Sequence, residues 1–281
     1  MACELDPINR EHLIKTCRFT TSEEEFDCLL DPVYGRKAPT LICEGDSWFS
    51  YPRSKIFFGE PANIIDHLAL MGYFNILQLS SPGDEAVGML SGASLREIDR
   101  LLVEYGDKID FFLFSGGGND IVGAGDMERF LNNSKQGPDF MGWINMNPFN
   151  QTIEDIKAAY LRLINLSKKK CPKCKIITHT YCYPHPNNVG GAFLGGLFKT
   201  KAWIKPFMDQ KGIAYPADQE SIIRYMIDRF AEMLLSLPKD NLIVLDIRND
   251  MQKKDWLNEI HLNPAAYARV AAKFLKQIIQ A

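Results

Sequence analysis

Thr40-Leu41-Ile42-Cys43-Glu44-Gly45-Asp46-Ser47-Trp48 is the stretch whose reading decides the fold. Its first four residues form a short apolar run without polar alternation, the pattern of a strand covered on both faces. Gly45 and Asp46 then interrupt the run with turn-forming chemistry. Ser47 therefore stands just past a strand tip, between small and acidic neighbours, where a hydroxyl can be held out toward a ligand.

The same rhythm continues outward from this point. Apolar runs at 40–44, 74–79, 110–115, 175–181 and 242–246 are short and bounded by turn residues, which predicts strands. Helical periodicity occupies segments near 61–71, 93–105, 150–170, 219–236 and 264–280. Asn263 suits the N-cap of the last helix and Pro264 its first position. Strands alternating with helices predict an α/β fold, a three-layer sandwich around a parallel sheet, with right-handed crossovers. Residues 1–38 are polar and mixed in charge, with Glu23-Glu24-Glu25 and a helix expected around 8–17. They are read as an N-terminal extension packed on one main domain over 39–281.

Two segments break the rhythm, 123–149 and 184–216. Both leave the carboxyl end of a strand, the edge where open α/β sheets bind ligands. Loops of this length generally carry function. The second contains Phe193, Leu194, Leu197, Phe198 and Trp203 among glycines and prolines, and is the candidate wall or lid for an acyl group. His179-Thr180-Tyr181-Cys182-Tyr183 enters it from the fourth strand and is expected to shape a pocket. Trp48, Tyr183, Phe193 and Trp203 are the candidate substrate contacts.

The chain has 281 residues, 46% hydrophobic and 24% charged, with a formal net charge of −3. That composition supports a sizeable core and gives no electrostatic footprint for nucleic acid. Lys168-Lys169-Lys170 is the one basic run, placed to end a helix where cations suit the dipole. No apolar stretch reaches the length of a membrane span, and the N-terminus lacks the basic and apolar regions of a signal peptide. A cytoplasmic protein is the expectation. Its seven cysteines are then expected to be mostly reduced thiols. Cys171, Cys174 and Cys182 with His179 or His185 are a weak zinc pattern, outweighed by thiols at a helix-to-strand turn.

Acyl transfer needs a nucleophile, a base and donors for an oxyanion. Ser47 is the candidate nucleophile. His261, in Asp255-Trp256-Leu257-Asn258-Glu259-Ile260-His261 before the last helix, is the candidate base, since imidazole titrates in the right range. Asn119, in Phe114-Ser115-Gly116-Gly117-Gly118-Asn119-Asp120, can donate through its amide, and Asp120 beside it is expected to anchor the loop. A glycine-rich turn without Gly-Lys-Ser/Thr is not a P-loop.

Gly-Asp-Ser early, Gly-x-Asn-Asp in the middle and a histidine before the last helix resemble the SGNH (GDSL-type) hydrolase superfamily over about residues 39–280. Within it the chain is similar to a bacterial subfamily with a Gly-Asp-Ser-Trp start and a Trp-x-Asn-Glu-Ile-His ending. The resemblance implies a five-stranded parallel sheet in the flavodoxin-like order 2-1-3-4-5. It implies a serine esterase that needs no metal or organic cofactor and acts on a small-molecule or lipid ester. It assigns Ser47 as nucleophile, His261 as base, and Ser47 N–H, Gly83 N–H and the Asn119 amide as the oxyanion hole. The chain departs from the family in two places. Asn258 stands where most members have Asp three residues before the histidine, and Leu262 replaces the usual proline after it. Asn258 and Asp255 are equal candidates to orient His261, Glu259 a weaker one, and a backbone carbonyl a further alternative. Carboxylic esters, with lipid or short acyl esters among them, are the expected substrates. A non-catalytic binding protein on this scaffold and an acetylesterase acting on O-acetylated carbohydrate are the alternatives. A phosphoryl hydrolase is disfavoured for want of an Asp-rich metal cluster.

Overall fold

A computed structural model describes residues 3–51, 61–193 and 198–280, without the side chains at 124, 192–193 and 198–199. The side chain of Phe193 and residues 194–197 of the candidate lid therefore lie outside the described residues. The strands are β1 (Thr40–Gly45), β2 (Asn75–Gln78), β3 (Phe111–Ser115), β4 (Lys175–His179), β5 (Ala192–Phe193), β6 (Phe198–Lys199) and β7 (Leu242–Leu245). Five of them form one parallel sheet in the order β2-β1-β3-β4-β7. β5 and β6 make a separate antiparallel pair in the 184–216 segment.

Parallel neighbours need long crossovers, and helices supply them: α4 (Ile64–Met71), α6 (Gly92–Tyr105), α9 (Met146–Lys170) and α11 (Pro216–Ser236), with α12 (Pro264–Gln280) closing the chain. α4 packs on α12, while α6 packs on α9 and α9 on α11. The core between these helices and the sheet includes Phe112, Phe114, Tyr160, Phe230, Tyr267 and Phe274, each fully buried. Asn263 does cap α12, its side-chain oxygen accepting from Ala266 N–H at 3.0 Å. α9 and α11 start earlier than their periodicity suggests, at Met146 and Pro216. Pro148 and Pro216 lie in first turns, where a missing N–H leaves no helical bond unmade.

The N-terminal segment is more ordered than its composition suggests. It forms α1 (Pro7–Thr16) and a second helix, α2 (Glu23–Leu29), which buries Phe26, Cys28 and Leu29. Between them Thr20 extends the sheet edge: its N–H donates to Ile76 O at 2.9 Å, and its carbonyl accepts from Gln78 N–H at 2.8 Å. Arg36 ties the segment down by donating to the carbonyls of Phe74, Ile14 and Cys17. Cys3 and Cys28 form a disulfide, which corrects the reduced-thiol reading for those two; the other five cysteines are free. Among the described residues no helix is long and apolar enough to cross a membrane.

Candidate active site

The carboxyl ends of β1, β3 and β4 converge on one spot. Ser47 is the first residue of a single-turn helix, α3 (Ser47–Ser50), that begins as β1 ends. Asp46 caps this turn by accepting from Trp48 N–H at 2.9 Å. The Ser47 N–H, at the first helical position, has no carbonyl behind it in the turn. From the other side the 256–262 loop, pinched by a bridge between Trp256 and Leu262, delivers His261. Its Nε2 lies 2.8 Å from Ser47 Oγ.

Asn258 stands behind the imidazole. Its Oδ1 is 3.0 Å from His261 Nδ1 and also accepts from the backbone N–H groups of Ile260 at 3.1 Å and His261 at 2.9 Å. Those two N–H groups fix which way the amide points, because an NH₂ could not face them. The amide oxygen therefore receives the Nδ1 proton, and the Nε2 lone pair is left for Ser47. Burial drives the His261 pKa down, to about 3. The Tyr51 ring sits 4.2 Å from the imidazole, and Trp203 meets it edge-on at 5.4 Å.

Asp255, the equal candidate for this place, is engaged elsewhere. Its carboxylate accepts from Gln252 N–H at 2.8 Å and pairs with Arg269 at 2.9 Å, closing a 3₁₀ turn over Lys253–Asp255. Glu259 also serves another end. Fully buried, it accepts from the backbone N–H groups of Asn187 (3.1 Å), Trp203 (2.6 Å), Ile204 (2.6 Å) and Lys205 (2.9 Å). It thereby fastens both ends of the 187–205 segment to the loop that carries His261.

The opposite wall is built from α7 (Gly118–Val122) and the turn after β2. Gly117 adopts φ +111° before α7 and Gly83 φ +90° in the turn, conformations that favour glycine. The Asn119 amide donates to Asp84 O at 2.9 Å, which uses one of its two N–H bonds. Asp120 accepts from Ala86 and Val87 N–H at 2.7 and 3.1 Å, so it anchors α5 (Ala86–Met89) to α7. Burial raises the Asp120 pKa to about 6.

Beneath Ser47 lies a polar cluster that sequence reasoning passed over. Asp46 is buried and accepts from Ser115 Oγ at 2.7 Å and from Tyr181 OH at 2.5 Å. His179, also buried, contacts Thr180 O through Nδ1 at 2.7 Å and Ser115 Oγ through Nε2 at 2.9 Å. A carbonyl only accepts, so Nδ1 carries a proton. Ser115 has a single hydrogen for its two nearer neighbours, Asp46 and His179, so satisfying both requires one further proton, on Asp46 or on His179 Nε2. Burial pushes both groups toward neutrality, raising Asp46 to about 6 and lowering His179 to about 4. The sequence signal was the His179-Thr180-Tyr181 run leaving β4 beside β3, read only as a pocket wall.

Two cavities meet at Ser47. The wider, of about 180 Å³, is bordered by Tyr51, Gly83, Asn119, Trp203, Ile260 and His261. The narrower, of about 20 Å³, is bordered by Trp48, Val122, Tyr181, Ile227 and Trp256, again with Asn119 and Ile260. Trp48 borders the narrower cavity and Trp203 the wider. Tyr183 borders neither cavity: its hydroxyl donates to Asp228 at 2.6 Å and Arg224 covers its ring, which corrects its place among the contacts. The Cys171 and Cys182 thiols donate to Gly106 O and Ile247 O on separate parts of the fold. Among the described residues no group of three or more His, Cys, Asp or Glu is placed to hold a metal.

Comparison with family models returns no match, and comparison with curated proteins returns none. Solved structures do resemble the chain. A lipase from a goat rumen metagenome is 13% identical, covering 86% of this chain and 97% of its own, with TM-score 0.49. A lipolytic G-D-S-L family protein from Veillonella parvula is 15% identical (85% and 97% covered, TM-score 0.48). A carbohydrate acetylesterase from Sinorhizobium meliloti is 10% identical (86% and 99% covered, TM-score 0.47). Each is a likeness in outline, too distant to speak for substrate.

Proposed function

We propose that the protein is a serine ester hydrolase of the SGNH type, with residues 39–281 as the hydrolase unit and 1–38 as an extension of it. The observation that carries this reading is the hydrogen-bonded chain from Asn258 through His261 to Ser47 at the carboxyl edge of the sheet. Ser47 Oγ attacks the ester carbonyl carbon as His261 Nε2 takes its proton. The carbonyl oxygen becomes an oxyanion beside Ser47 N–H, Gly83 N–H and the second N–H of the Asn119 amide. Removing one such donor typically costs about 2.7–4 kcal/mol of transition-state stabilisation. The imidazolium returns its proton to the alkoxide oxygen as the C–O bond breaks, leaving an acyl-enzyme on Ser47. Water, deprotonated by the same nitrogen, then releases the acid and restores the serine.

Asn258 in place of a carboxylate suits this cycle. The orienting residue must hold the correct tautomer, and a wrongly presented amide is ruinous because it selects the wrong one. Here two backbone N–H groups present the amide by its oxygen, so tautomer selection is preserved without a second buried charge.

The test is hydrolysis of p-nitrophenyl esters by the wild type and by Ser47→Ala. We expect wild-type turnover that falls at least about a thousandfold in the variant. Turnover surviving in folded Ser47→Ala, or absent from the folded wild type, would overturn the reading; in the second case a binding role on the same scaffold would stand in its place.

A further inference from the structure

Resting on the ester-hydrolase reading of Ser47, we propose that the narrow cavity beside Trp48 is the acyl subsite. It admits an acetyl group and excludes acyl chains of four carbons or more. The substrates are then acetate esters of a bulkier alcohol.

The argument follows the substituents of the tetrahedral carbon that forms on Ser47 Oγ. Its leaving oxygen must take a proton from His261 Nε2, so the alcohol occupies a space that His261 borders. Only the 180 Å³ cavity of the two does so. The oxyanion must face Gly83 and Asn119, which border that same cavity. The acyl substituent is left with the remaining direction, across Asn119 and Ile260, into the cavity of about 20 Å³. About 10–15 Å³ measured in this way holds one water, and a methyl group needs space of the same order. Two further methylenes find no room.

The walls of this subsite are fixed. Tyr181 is held by its hydroxyl on Asp46, and Trp48 by its indole N–H on Ile260 O at 3.2 Å. Ile227, from α11, is 1% exposed and Val122 5%. Close-packed walls of this kind resist an added methylene. Trp203, from the segment expected to wall the acyl group, lies on the alcohol side.

The experiment measures kcat/KM for p-nitrophenyl acetate, butyrate and octanoate with wild type, Ile227→Ala and Val122→Ala, two variants that remove separate parts of one wall. We expect the wild type to prefer acetate over butyrate at least tenfold, and at least one folded variant to raise the butyrate-to-acetate ratio at least tenfold. A wild type that hydrolyses octanoate as well as acetate overturns the acyl assignment, whether or not the variants fold. So does an unchanged ratio in both folded variants. Because Ser47-dependent turnover persists in both of those cases, they are distinguishable from failure of the hydrolase reading, in which no Ser47-dependent turnover is seen at all.

Discussion

The two sides of the Ser47–His261 pair are built from opposite materials. Behind Ser47 sits Asp46, an ionisable side chain buried with a histidine, a tyrosine and a serine. Behind His261 sits Asn258, which cannot ionise, in an equally buried place. Each holds a short loop by accepting from backbone N–H, Asp46 from that of Trp48 and Asn258 from those of Ile260 and His261. The difference is in what each does to protons. On the Asp46 side burial and hydrogen bonds compete over a charge, whereas on the Asn258 side burial acts alone and drives the imidazole down to about 3. A neutral acceptor thus takes the same place behind His261 that an ionisable one takes behind Ser47.

Breaking the Asn258 side should have the largest effect. Asn258→Ala removes the partner of Nδ1 and leaves two buried N–H groups without an acceptor, so kcat should fall roughly a hundredfold or more, within what a positioned general base supplies. Asn258→Asp sharpens the contrast. A group lowered by burial alone keeps His261 neutral down to about pH 3, so the wild-type kcat/KM should show no His261 limb between pH 5 and 8. A carboxylate beside the imidazole favours its charged form and should lift that acid limb by roughly 1–3 pH units. A wild-type limb near pH 6.5, or an Asn258→Asp limb identical to wild type, would break the comparison.

The Asp46 side is tested by stability. Its folded pKa of about 6 lies above the ordinary 3.8 because burial penalises the carboxylate. The fold thus holds the proton more tightly than the unfolded chain. The associated stability is complete below about pH 4 and is lost as pH rises through 6, amounting to about 3 kcal/mol. Asp46→Asn keeps an oxygen for Trp48 N–H and cannot ionise, so the decline in unfolding free energy between pH 4 and 7 should shrink by that order. Glu44, pushed to about 7 by burial, adds a decline of the same sign in both proteins. Urea titrations at several pH values would show it; parallel curves for the two proteins would rule out this account of Asp46.

Much of this was legible in the chain because it depends on local pattern. The five sheet strands are apolar runs, and their order follows from the family resemblance once those runs are recognised. Ser47, Asn119 and His261 were named from short motifs, and the fold brings them to one place. What could not be read is what depends on contacts far apart in sequence. The choice between Asn258 and Asp255 turns on a tight loop whose bridge and Arg269 partner no spacing reveals. Asp46 looked like a turn residue because its partners, Ser115 and Tyr181, lie 69 and 135 residues away. α2 was missed because its buried face is a short Phe-Asp-Cys-Leu run after three glutamates, too brief for a clear period.

The smallest expected effect concerns Glu259, a buried carboxylate that reaches across to the glycine- and proline-rich 184–216 segment. Four backbone N–H groups of the 187–205 segment converge on its two oxygens, and Trp203, which borders the wider cavity, is one of those four residues. In Glu259→Gln one oxygen becomes an NH₂ group, which must face N–H donors whichever way the amide turns. An unsatisfied buried donor costs about 1–3 kcal/mol, and this cost falls on the segment rather than on the Asn258–His261–Ser47 chain. KM should therefore rise several-fold while kcat changes less than about threefold, with hydrogen exchange quickening at 203–205. An equal loss in kcat with KM unchanged would mean that Glu259 acts through His261 instead, and that the neutral surroundings of the base are less independent of nearby charge than the contrast with Asp46 implies.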